Sequence, residues 1–576
     1  MIFRRAILFA IMLILASSGA FCANAIMGRY DPQQTSCTTE KLDPPLILNW
    51  EFTANKYANN PAAPVVADGV CYFASGDRVY AIDMETGTMK WKYPNDLGLA
   101  SSVKATPAVY DGRVYFGAGD GNLYCIDAQT GTFNWAYQTR GSVRTPPVIV
   151  TDPSPALFFG SDDNSLYTID AATGDIGWKP LTFRDDIANG IAIGSGMAVV
   201  ACMDGNLYGV NASSGKARWP FRLPSAPVKT SPVMTENMTI MAVGNVVYGL
   251  TTRSGQKKWM IQLPSDVDAT PAINATDVFI VCNNKKLYCY NIAGRQPVSR
   301  WTEPAELSGI PMSSPTVADQ LVYVTTSHGV VSAFSVADGS LKWRYVCAPS
   351  PTNTPGVTYT NASSSPVISN GALVVLTDDG VLHCFTQTAP DNTPPEAYFL
   401  TPANGVRMSG APPIKISAVL YDVGSGVDFS SVNLSLDGQP LEVKTDYTTG
   451  TVSYETPVGE PGKPVKPLKD GMRKIILTAK DYAGNMLTKE WYFIADSTMP
   501  PPRRTKVEVQ EGKSSKEPVR RGNSSSGNNG NVSSDNTPPP PPPAPGPGAP
   551  GDYGNYGGRR HHRGDYNNQA GPPGGF

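Results

Sequence analysis

Over its first two thirds the chain alternates apolar and polar residues in short stretches, as half-buried β-strands do. RVYFGAG leads into a turn at Asp120-Gly121 and then into NLYCIDA, and two such stretches joined by Asp-Gly predict a β-hairpin. Many stretches begin with a Ser/Thr-Pro pair, as in ATPAVYDG, because proline is tolerated where no ladder N–H is needed. The pattern predicts an all-β protein.

One phrase returns every 40 to 44 residues and ends each time in a tryptophan. Its copies include VYAIDMETGTMKW, LYCIDAQTGTFNW and LYTIDAATGDIGW. A repeat of this length is typical of four-stranded propeller blades. The repeat tryptophans are Trp50, Trp91, Trp135, Trp178, Trp219, Trp259, Trp301 and Trp343.

The repeats also predict how the ring closes. Seven complete units end at the tryptophans from Trp91 to Trp343, and an eighth unit, SSSPVISNGALVVLTDDGVLHCF, has no tryptophan phrase after it. PPLILNWEF, which contains Trp50, precedes the first unit and has no unit of its own. Pairing these two pieces would hide two sheet edges. We therefore predict an eight-bladed β-propeller over residues 26–390, closed by its N-terminal strand.

The phrase resembles the PQQ-like repeat, whose consensus runs roughly A-x-D-x-x-T-G-x-x-x-W. Later units depart from it: Asn211 and Ser214 replace Asp and Thr, and the sixth unit carries an insertion before Trp301. In that family the repeat residues dock neighbouring blades. The resemblance therefore implies a structural role for the tryptophans and for Asp83, Asp127, Asp170, Gly87, Gly131 and Gly174.

Two kinds of protein with this repeat suggest different functions. Quinoprotein dehydrogenases hold PQQ and Ca²⁺ in the central funnel, and many carry a vicinal cysteine pair or a haem motif, neither of which occurs here. The propeller subunit of the outer-membrane β-barrel assembly machine is similar in repeat type, blade number and short loops. That resemblance favours a non-enzymatic scaffold that binds an envelope protein and has no cofactor. A PQQ/Ca²⁺ dehydrogenase and a surface adhesin or polysaccharide binder are the alternatives.

The candidate funnel residues lie just before the inner strands. Lys104, Arg144, Lys229 and Asp268 occupy one equivalent position in four units. Three cations at one mouth could hold an anionic ligand or an acidic partner segment, because a cleft focuses field lines. The alternative, which the pattern favours, is that they are only solvated rim charges. Neither propeller histidine has a Cys or carboxylate cluster at ligand spacing, so we expect no zinc or non-haem metal site.

Composition changes after Cys384. Residues 391–497 contain IKISAVLYD, VNLSLDG and MRKIILTAKD, which predict a small β-sandwich resembling bacterial Ig-like domains. Asp422, Asp428 and Asp481 could join a Ca²⁺ site there, or serve only as turn residues. Residues 498–576 are rich in Pro, Gly, Ser and Asn, a composition that predicts disorder.

The N-terminus and the overall charge bear on location. Residues 1–25 have two arginines, an apolar run and a final Ala-Asn-Ala, which predict a signal peptide cleaved after Ala25; an uncleaved membrane anchor is the alternative. We expect no later transmembrane segment and an extracytoplasmic location, in the periplasm, at the outer membrane or at the cell surface. A net charge of −2 gives no support for nucleic-acid binding. Most of the eight remaining cysteines sit in apolar strands, which favours buried thiols with at most one or two disulfides.

Overall fold

A computed structural model describes residues 24–54, 62–187, 189–224, 227–347, 360–458 and 465–501. Most of the predicted signal peptide and of the predicted disordered tail lies outside these ranges. The described residues form β-strands, turns and a short 3₁₀ helix at Ser327–Gly329. No helix among them is long and apolar enough to cross a membrane. The all-β prediction is confirmed.

Sheets of one design follow each other between residues 37 and 386, and we call them blades 1 to 8 in the order of their inner strands. Two strands precede them, β1 (Cys37–Thr38) and β2 (Ile47–Thr53). Blades 1 to 4 each contain four antiparallel strands, which are β3 (Val65–Ala67), β4 (Val70–Ser75), β5 (Arg78–Asp83) and β6 (Met89–Tyr93); β7 (Ala108–Tyr110), β8 (Arg113–Gly117), β9 (Asn122–Asp127) and β10 (Phe133–Gln138); β11 (Val148–Val150), β12 (Ala156–Ser161), β13 (Ser165–Asp170) and β14 (Leu181–Thr182); and β15 (Ile191–Gly194), β16 (Met197–Cys202), β17 (Asn206–Asn211) and β18 (Ala217–Arg222).

The later blades keep the same order from inner to outer strand. Blade 6 adds a second short outer strand, because its outer edge is interrupted by the insertion before Trp301. Blades 5 to 8 contain β19 (Val233–Met234), β20 (Met238–Val243), β21 (Val246–Thr251) and β22 (Lys257–Gln262); β23 (Ala272–Ile273), β24 (Asp277–Cys282), β25 (Lys286–Asn291), β26 (Val298–Ser299) and β27 (Ala305–Glu306); β28 (Thr316–Ala318), β29 (Leu321–Thr326), β30 (Val330–Ser335) and β31 (Leu341–Val346); and β32 (Val367–Ser369), β33 (Ala372–Leu376) and β34 (Val381–Thr386).

The predicted pairing of the N-terminal strand with the eighth repeat is confirmed. β2 runs antiparallel to β34 as the outer strand of blade 8, with Trp50 opposite Cys384. One apolar cluster joins Val374 and Cys384 of blade 8 to Phe73 and Ile82 of blade 1. The first and last blades are therefore held together by strand pairing and by apolar burial, which covers both sheet edges.

Neighbouring blades dock through tryptophan and glycine. Gly87 has φ +70, and a Cβ there would lie 2.7 Å from the ring of Trp50, so a side chain does not fit. The Trp50 indole N–H donates to the Met84 carbonyl at 2.9 Å. The same packing against the next blade pairs Gly131 with Trp91, Gly174 with Trp135, Gly215 with Trp178, Gly255 with Trp219 and Gly339 with Trp301.

The repeat aspartates hold the turns that carry these glycines. The Asp83 carboxylate accepts hydrogen bonds from the backbone N–H groups of Glu85 at 3.2 Å and Thr86 at 3.0 Å. Asp127 and Asp170 do the same in blades 2 and 3. Such side-chain to backbone bonds fix the turn and so the surface that meets the tryptophan.

The cysteines are part of the blade cores. All eight described cysteines are free thiols, and Cys37 alone among them is partly exposed. Burial raises the pKa of the Cys125 thiol to about 11 and that of the Cys384 thiol to about 12. The thiols therefore act as small apolar side chains, as their place in apolar strands predicts.

A C-terminal unit of two sheets follows the propeller. Its two sheets enclose one core that includes Ile416, Val452, Ile475, Trp491 and Phe493, the layered arrangement of a β-sandwich; its membership of the bacterial Ig-like domains stays a prediction. The strands are β35 (Glu396–Thr401), β36 (Arg407–Met408), β37 (Lys415–Tyr421), β38 (Val427–Leu436), β39 (Gln439–Leu441), β40 (Lys444–Asp446), β41 (Thr451–Glu455), β42 (Gly471–Asp481) and β43 (Met486–Ala495).

Candidate functional site

The centre of the ring contains residues 25–38, which we call the crossing segment. Its backbone carbonyls accept hydrogen bonds from the inner strands of blades 1, 2, 4, 5, 6 and 7. The inner strands surround the ring axis, so a segment this short that bonds to six of them lies inside the channel. The N–H donors are those of Val66, Val109, Ile193, Met234, Ile273 and Val317, at 2.6 to 3.0 Å.

Two side chains of the crossing segment fix it further. The Tyr30 hydroxyl accepts from the Ile368 N–H at 2.6 Å and donates to the Ile368 carbonyl at 3.1 Å, which adds blade 8. The Arg29 guanidinium donates to the carbonyls of Gln34 at 2.9 Å and Thr270 at 3.4 Å, and also to that of Pro271. Burial lowers the pKa of Arg29 to about 9, and Asp31 partly opposes this.

A cavity of about 180 Å³ remains in the channel beside the crossing segment. Its lining includes Arg29 and Tyr30, and one residue at the equivalent position of every blade, one or two residues before the inner strand. Because those positions repeat around the ring, the cavity lies on its axis. The eight residues are Ala63, Thr106, Pro146, Gly190, Ser231, Thr270, Ser314 and Ser365.

Five of these eight positions carry a hydroxyl, and sequence reasoning missed them as site residues. The Ser/Thr-Pro pair predicts only a strand start, whereas in the structure its hydroxyl residue lines the channel cavity in blades 2, 5, 6, 7 and 8. An alignment of the repeats contains the signal, since the same column is Ser or Thr in most units. Apolar patterning does not reveal it.

The predicted rim residues lie two positions before this column. Arg144 pairs with Asp162 at 2.6 Å and lies 3.9 Å from Asp186. Lys229 pairs with Asp268 at 2.8 Å, so the structure brings together two of the four predicted residues. Carboxylates thus balance two of the three cations, and Lys104 is the exposed third. Their role in ligand binding stays a prediction.

The channel residues do not fit PQQ with Ca²⁺. Pockets for ligands of cofactor size measure about 300 Å³ or more, whereas the channel cavity has 180 Å³. Calcium takes six to eight oxygen ligands, usually including carboxylates, and no Asp or Glu is among the described residues that line this cavity.

A larger, open groove lies on the other side of the crossing segment. It measures about 710 Å³, and its walls are the crossing segment and the turns of blades 4, 5 and 6 between first and second strands. The lining mixes apolar Met234 and Ile273 with polar Glu236, Asn237 and Asn274. Its open shape and its mixed apolar and polar lining resemble surfaces that bind protein segments.

The C-terminal unit packs on the propeller through loop 423–426, and the two parts together form one compact body. The Tyr345 hydroxyl donates to the Val423 carbonyl at 2.9 Å, and the Leu48 N–H donates to the Gly424 carbonyl at 3.2 Å. Beside the loop, the guanidinium carbon of Arg344 lies 4.0 Å from the centroid of the Tyr447 ring, a cation–π contact. The unit is thus packed against blades 7 and 8.

Three carboxylates meet at this junction. Asp391, Asp422 and Asp481 offer oxygens that all lie within 4.8 Å of one another, and they form the one such acidic or Cys/His group among the described residues. Burial, and then repulsion from Asp391 and Asp481, raises the pKa of Asp422 to about 7. The predicted trio was wrong in one member: Asp428 accepts from Ser430 in its own turn, and Asp391 of the linker takes its place.

Comparisons with known proteins agree with this architecture. The family model described as outer membrane protein assembly factor BamB matches residues 48–163, 162–265 and 261–345, together just over half of the chain. Quinohemoprotein alcohol dehydrogenase of Comamonas testosteroni is 36% identical over 86 residues, 14% of this chain and 12% of that protein. Serine/threonine-protein kinase AfsK of Streptomyces griseus is 28% identical over 204 residues, 34% of this chain and 19% of the kinase.

The chain therefore spans less than a fifth of the length of either curated relative. The crystal structure of the Comamonas testosteroni dehydrogenase has a TM-score of 0.50 at 14% identity, and the match covers 69% of this chain and 85% of that one. Identity this low supports the propeller fold alone. With the repeats, the ring and the family match in agreement, this chain belongs to the PQQ-like repeat family of β-propellers.

Proposed function

We propose that this protein is a non-enzymatic, exported propeller that binds a partner protein in the cell envelope. The observation that carries the proposal is the crossing segment. It occupies part of the channel in which a funnel cofactor would have to bind, with hydrogen bonds to seven blades. A chain that uses its channel to hold its own N-terminal segment retains the repeat for its architecture.

The family match supports a binding role. The matching model is described as an assembly factor, and the open groove beside the crossing segment offers a mixed apolar and polar surface of the kind that protein interfaces use. The packed junction with the C-terminal unit favours a rigid scaffold over a flexible adhesive arm, because side chains of blade 7 and backbone of blade 8 bond to it.

The dehydrogenase alternative, which the repeat suggests, has the support of a curated relative that matches over 86 residues. It would need a cofactor site away from the channel cavity, since neither the volume nor the lining residues suit PQQ and Ca²⁺.

Export is part of the proposal. Cleavage after Ala25 would place the new amino terminus at Ile26, whose carbonyl accepts a 2.7 Å hydrogen bond from Val109. The mature chain would thus begin inside the ring and lose only the Ala25 bond of the crossing segment to Val66. Secretion before folding would let the new terminus enter the ring as the blades assemble.

A photo-crosslinking experiment tests the partner-binding role. A photoreactive amino acid replaces Glu236, an exposed residue in the groove, and in a control chain it replaces Glu85, an exposed residue on an outer turn of blade 1. We expect one discrete adduct with an envelope protein in native cells from position 236 and none from position 85. The purified partner should bind the wild-type protein. Glu236→Lys should lower the affinity for this partner at least tenfold, whereas Glu85→Lys should leave the affinity unchanged. No adduct, or equal adducts at both positions, would contradict the role of this groove.

A further inference from the structure

We propose that the channel cavity binds one small oxyanion, such as inorganic phosphate, sulfate or a short carboxylate. The cavity is lined by hydrogen-bond donors and one cation, and the residues involved are not those that would bind a protein partner in the open groove. The inference is therefore independent of the proposed scaffold function.

The Ser and Thr residues that line the cavity supply the first group of donors. The Ser231 hydroxyl oxygen accepts from the Gly190 N–H, and that of Thr270 accepts from the Ser231 N–H, both at 2.8 Å. A hydroxyl that accepts from a backbone N–H still has its own proton to donate. The hydroxyls of Ser314 and Ser365 have no hydrogen-bond partner among the described residues that line the ring. These four hydroxyls can therefore donate into the cavity.

Arg29 supplies the charge. A guanidinium has five N–H groups, and three of those of Arg29 are used by the carbonyls of Gln34, Thr270 and Pro271. These bonds hold the group rigidly at the cavity and leave one N–H on each terminal nitrogen. Guanidinium N–H groups form strong, charge-assisted hydrogen bonds to carboxylate and phosphate oxygens, so each remaining N–H can donate to an oxygen of a bound anion.

The balance of charge favours an anion. No carboxylate is among the described residues that line the cavity, and the nearby Asp31 carboxylate accepts hydrogen bonds from the N–H and hydroxyl of Thr35. Arg29 has no ion pair within 4.0 Å among the described residues, and its burial lowers its pKa to about 9 although Asp31 partly opposes this. A bound anion would offset part of the cost of burying this charge.

The size of the cavity limits the ligand. A volume of 180 Å³ admits a tetrahedral oxyanion or a short carboxylate with some water, and it is well below the roughly 300 Å³ of sites for larger organic ligands. Nucleotides and sugar phosphates are therefore excluded as whole ligands. The residues select for charge and for acceptor oxygens.

Calorimetric titration of the purified full chain tests the site, with inorganic phosphate, sulfate and acetate as separate ligands at constant ionic strength. We expect saturable binding of one equivalent of at least one of these anions. Arg29→Gln should weaken it at least tenfold. The double variant Ser314→Ala/Ser365→Ala should weaken it severalfold, because it removes two donors. Arg113→Gln is the matched control, since this surface cation pairs with Asp111 outside the channel.

The variants separate a built site from surface attraction. If Arg29→Gln does not fold, the serine double variant decides, since its hydroxyls have no other described partner. Failure of all three anions to bind saturably would show that the cavity holds water only and would overturn the proposal. Binding that is equally tight in the folded channel variants and in wild type would overturn it too, because the anion would then sit elsewhere.

Discussion

The indole N–H of Trp343 donates a 2.8 Å hydrogen bond to the carbonyl of Ser425, across the boundary between the propeller and the C-terminal unit. In the other repeats with a regular turn, the equivalent bond goes to the next blade, as from Trp301 to Val336. The eighth repeat lacks that turn, and loop 423–426 takes its place against the fully buried Trp343. The C-terminal unit thus completes the docking pattern of the ring.

Gly426→Ala should loosen this junction. Gly426 has φ +88, and a Cβ would lie 2.8 Å from the Arg344 carbonyl, so the variant combines backbone strain with a clash. We expect a loss of about 2 kcal/mol in the free energy of unfolding, or separate unfolding of the two parts, by calorimetry.

Gly438→Ala is the matched control for that variant. Gly438 has φ +79 in the turn between β38 and β39, with nothing within 4 Å of an added Cβ. It should show the backbone strain alone and keep one transition. A Gly426 variant no less stable than the Gly438 variant would contradict the docking role of the loop.

A comparison of two tryptophans gives the contribution of the indole hydrogen bond to the free energy of unfolding. The Trp219 N–H donates to the Thr252 carbonyl at 2.9 Å. The Trp259 N–H is buried and has no partner among the described residues, because blade 6 has the insertion in place of the regular turn. Trp219→Phe should therefore cost about 1 kcal/mol more than Trp259→Phe in denaturant unfolding. Equal losses would mean that ring packing alone docks the blades.

Tyr30→Phe tests the hold on the crossing segment. The variant leaves both the N–H and the carbonyl of Ile368 without the Tyr30 hydroxyl, so we expect a loss of about 1 to 3 kcal/mol in unfolding free energy. Tyr492→Phe, at an exposed position of β43, should change stability little. An equally small effect of both would show that Tyr30 does not anchor the segment.

Asp422 should make stability depend on pH. Its folded pKa of about 7 lies above the ordinary 3.8, so the folded chain holds a proton that the unfolded chain releases. The stabilisation is complete below about pH 4 and is lost as pH rises through 7. Asp422→Asn should be more stable than wild type by about 2 to 4 kcal/mol at pH 8, and the gap should shrink toward pH 4.

Denaturant unfolding at several pH values with a chelator measures this gap, since a chelator keeps any cation from neutralising the three carboxylates. Asp428→Asn is the control, because Asp428 lies outside the trio and within the same unit. A gap between Asp422→Asn and wild type that does not change with pH would contradict the assignment.

The repeat pattern predicted what is periodic. Tryptophan and Thr-Gly turns recur at fixed spacing because each blade docks on the next. The strand around Trp50 has no repeat of its own, and the eighth repeat has no outer strand, so the sequence predicts that the two pair. The crossing segment has no period, and its contact from Tyr30 reaches Ile368, 338 residues away. Nothing local in the sequence of residues 25–38 indicates such partners.

The candidate site was harder to predict for a related reason. Arg144 and Lys229 stand in one column of the repeat, but the carboxylates that balance them come from turns of the same and neighbouring blades. The channel hydroxyls also form a column, hidden by the strand-start role of the following proline. Apolar periodicity predicts the strands of a propeller. The partners of polar residues depend on which blades the ring brings together, so they cannot be predicted from the same pattern.

Calorimetric titration of the purified full chain with PQQ in the presence of Ca²⁺ tests the central claim most directly, followed by an assay for dye-linked alcohol or sugar oxidation. With the crossing segment in the channel, we expect no saturable heat and no oxidation. Binding of PQQ with a micromolar or lower dissociation constant, together with PQQ-dependent oxidation, would contradict the account and make this propeller a quinoprotein dehydrogenase.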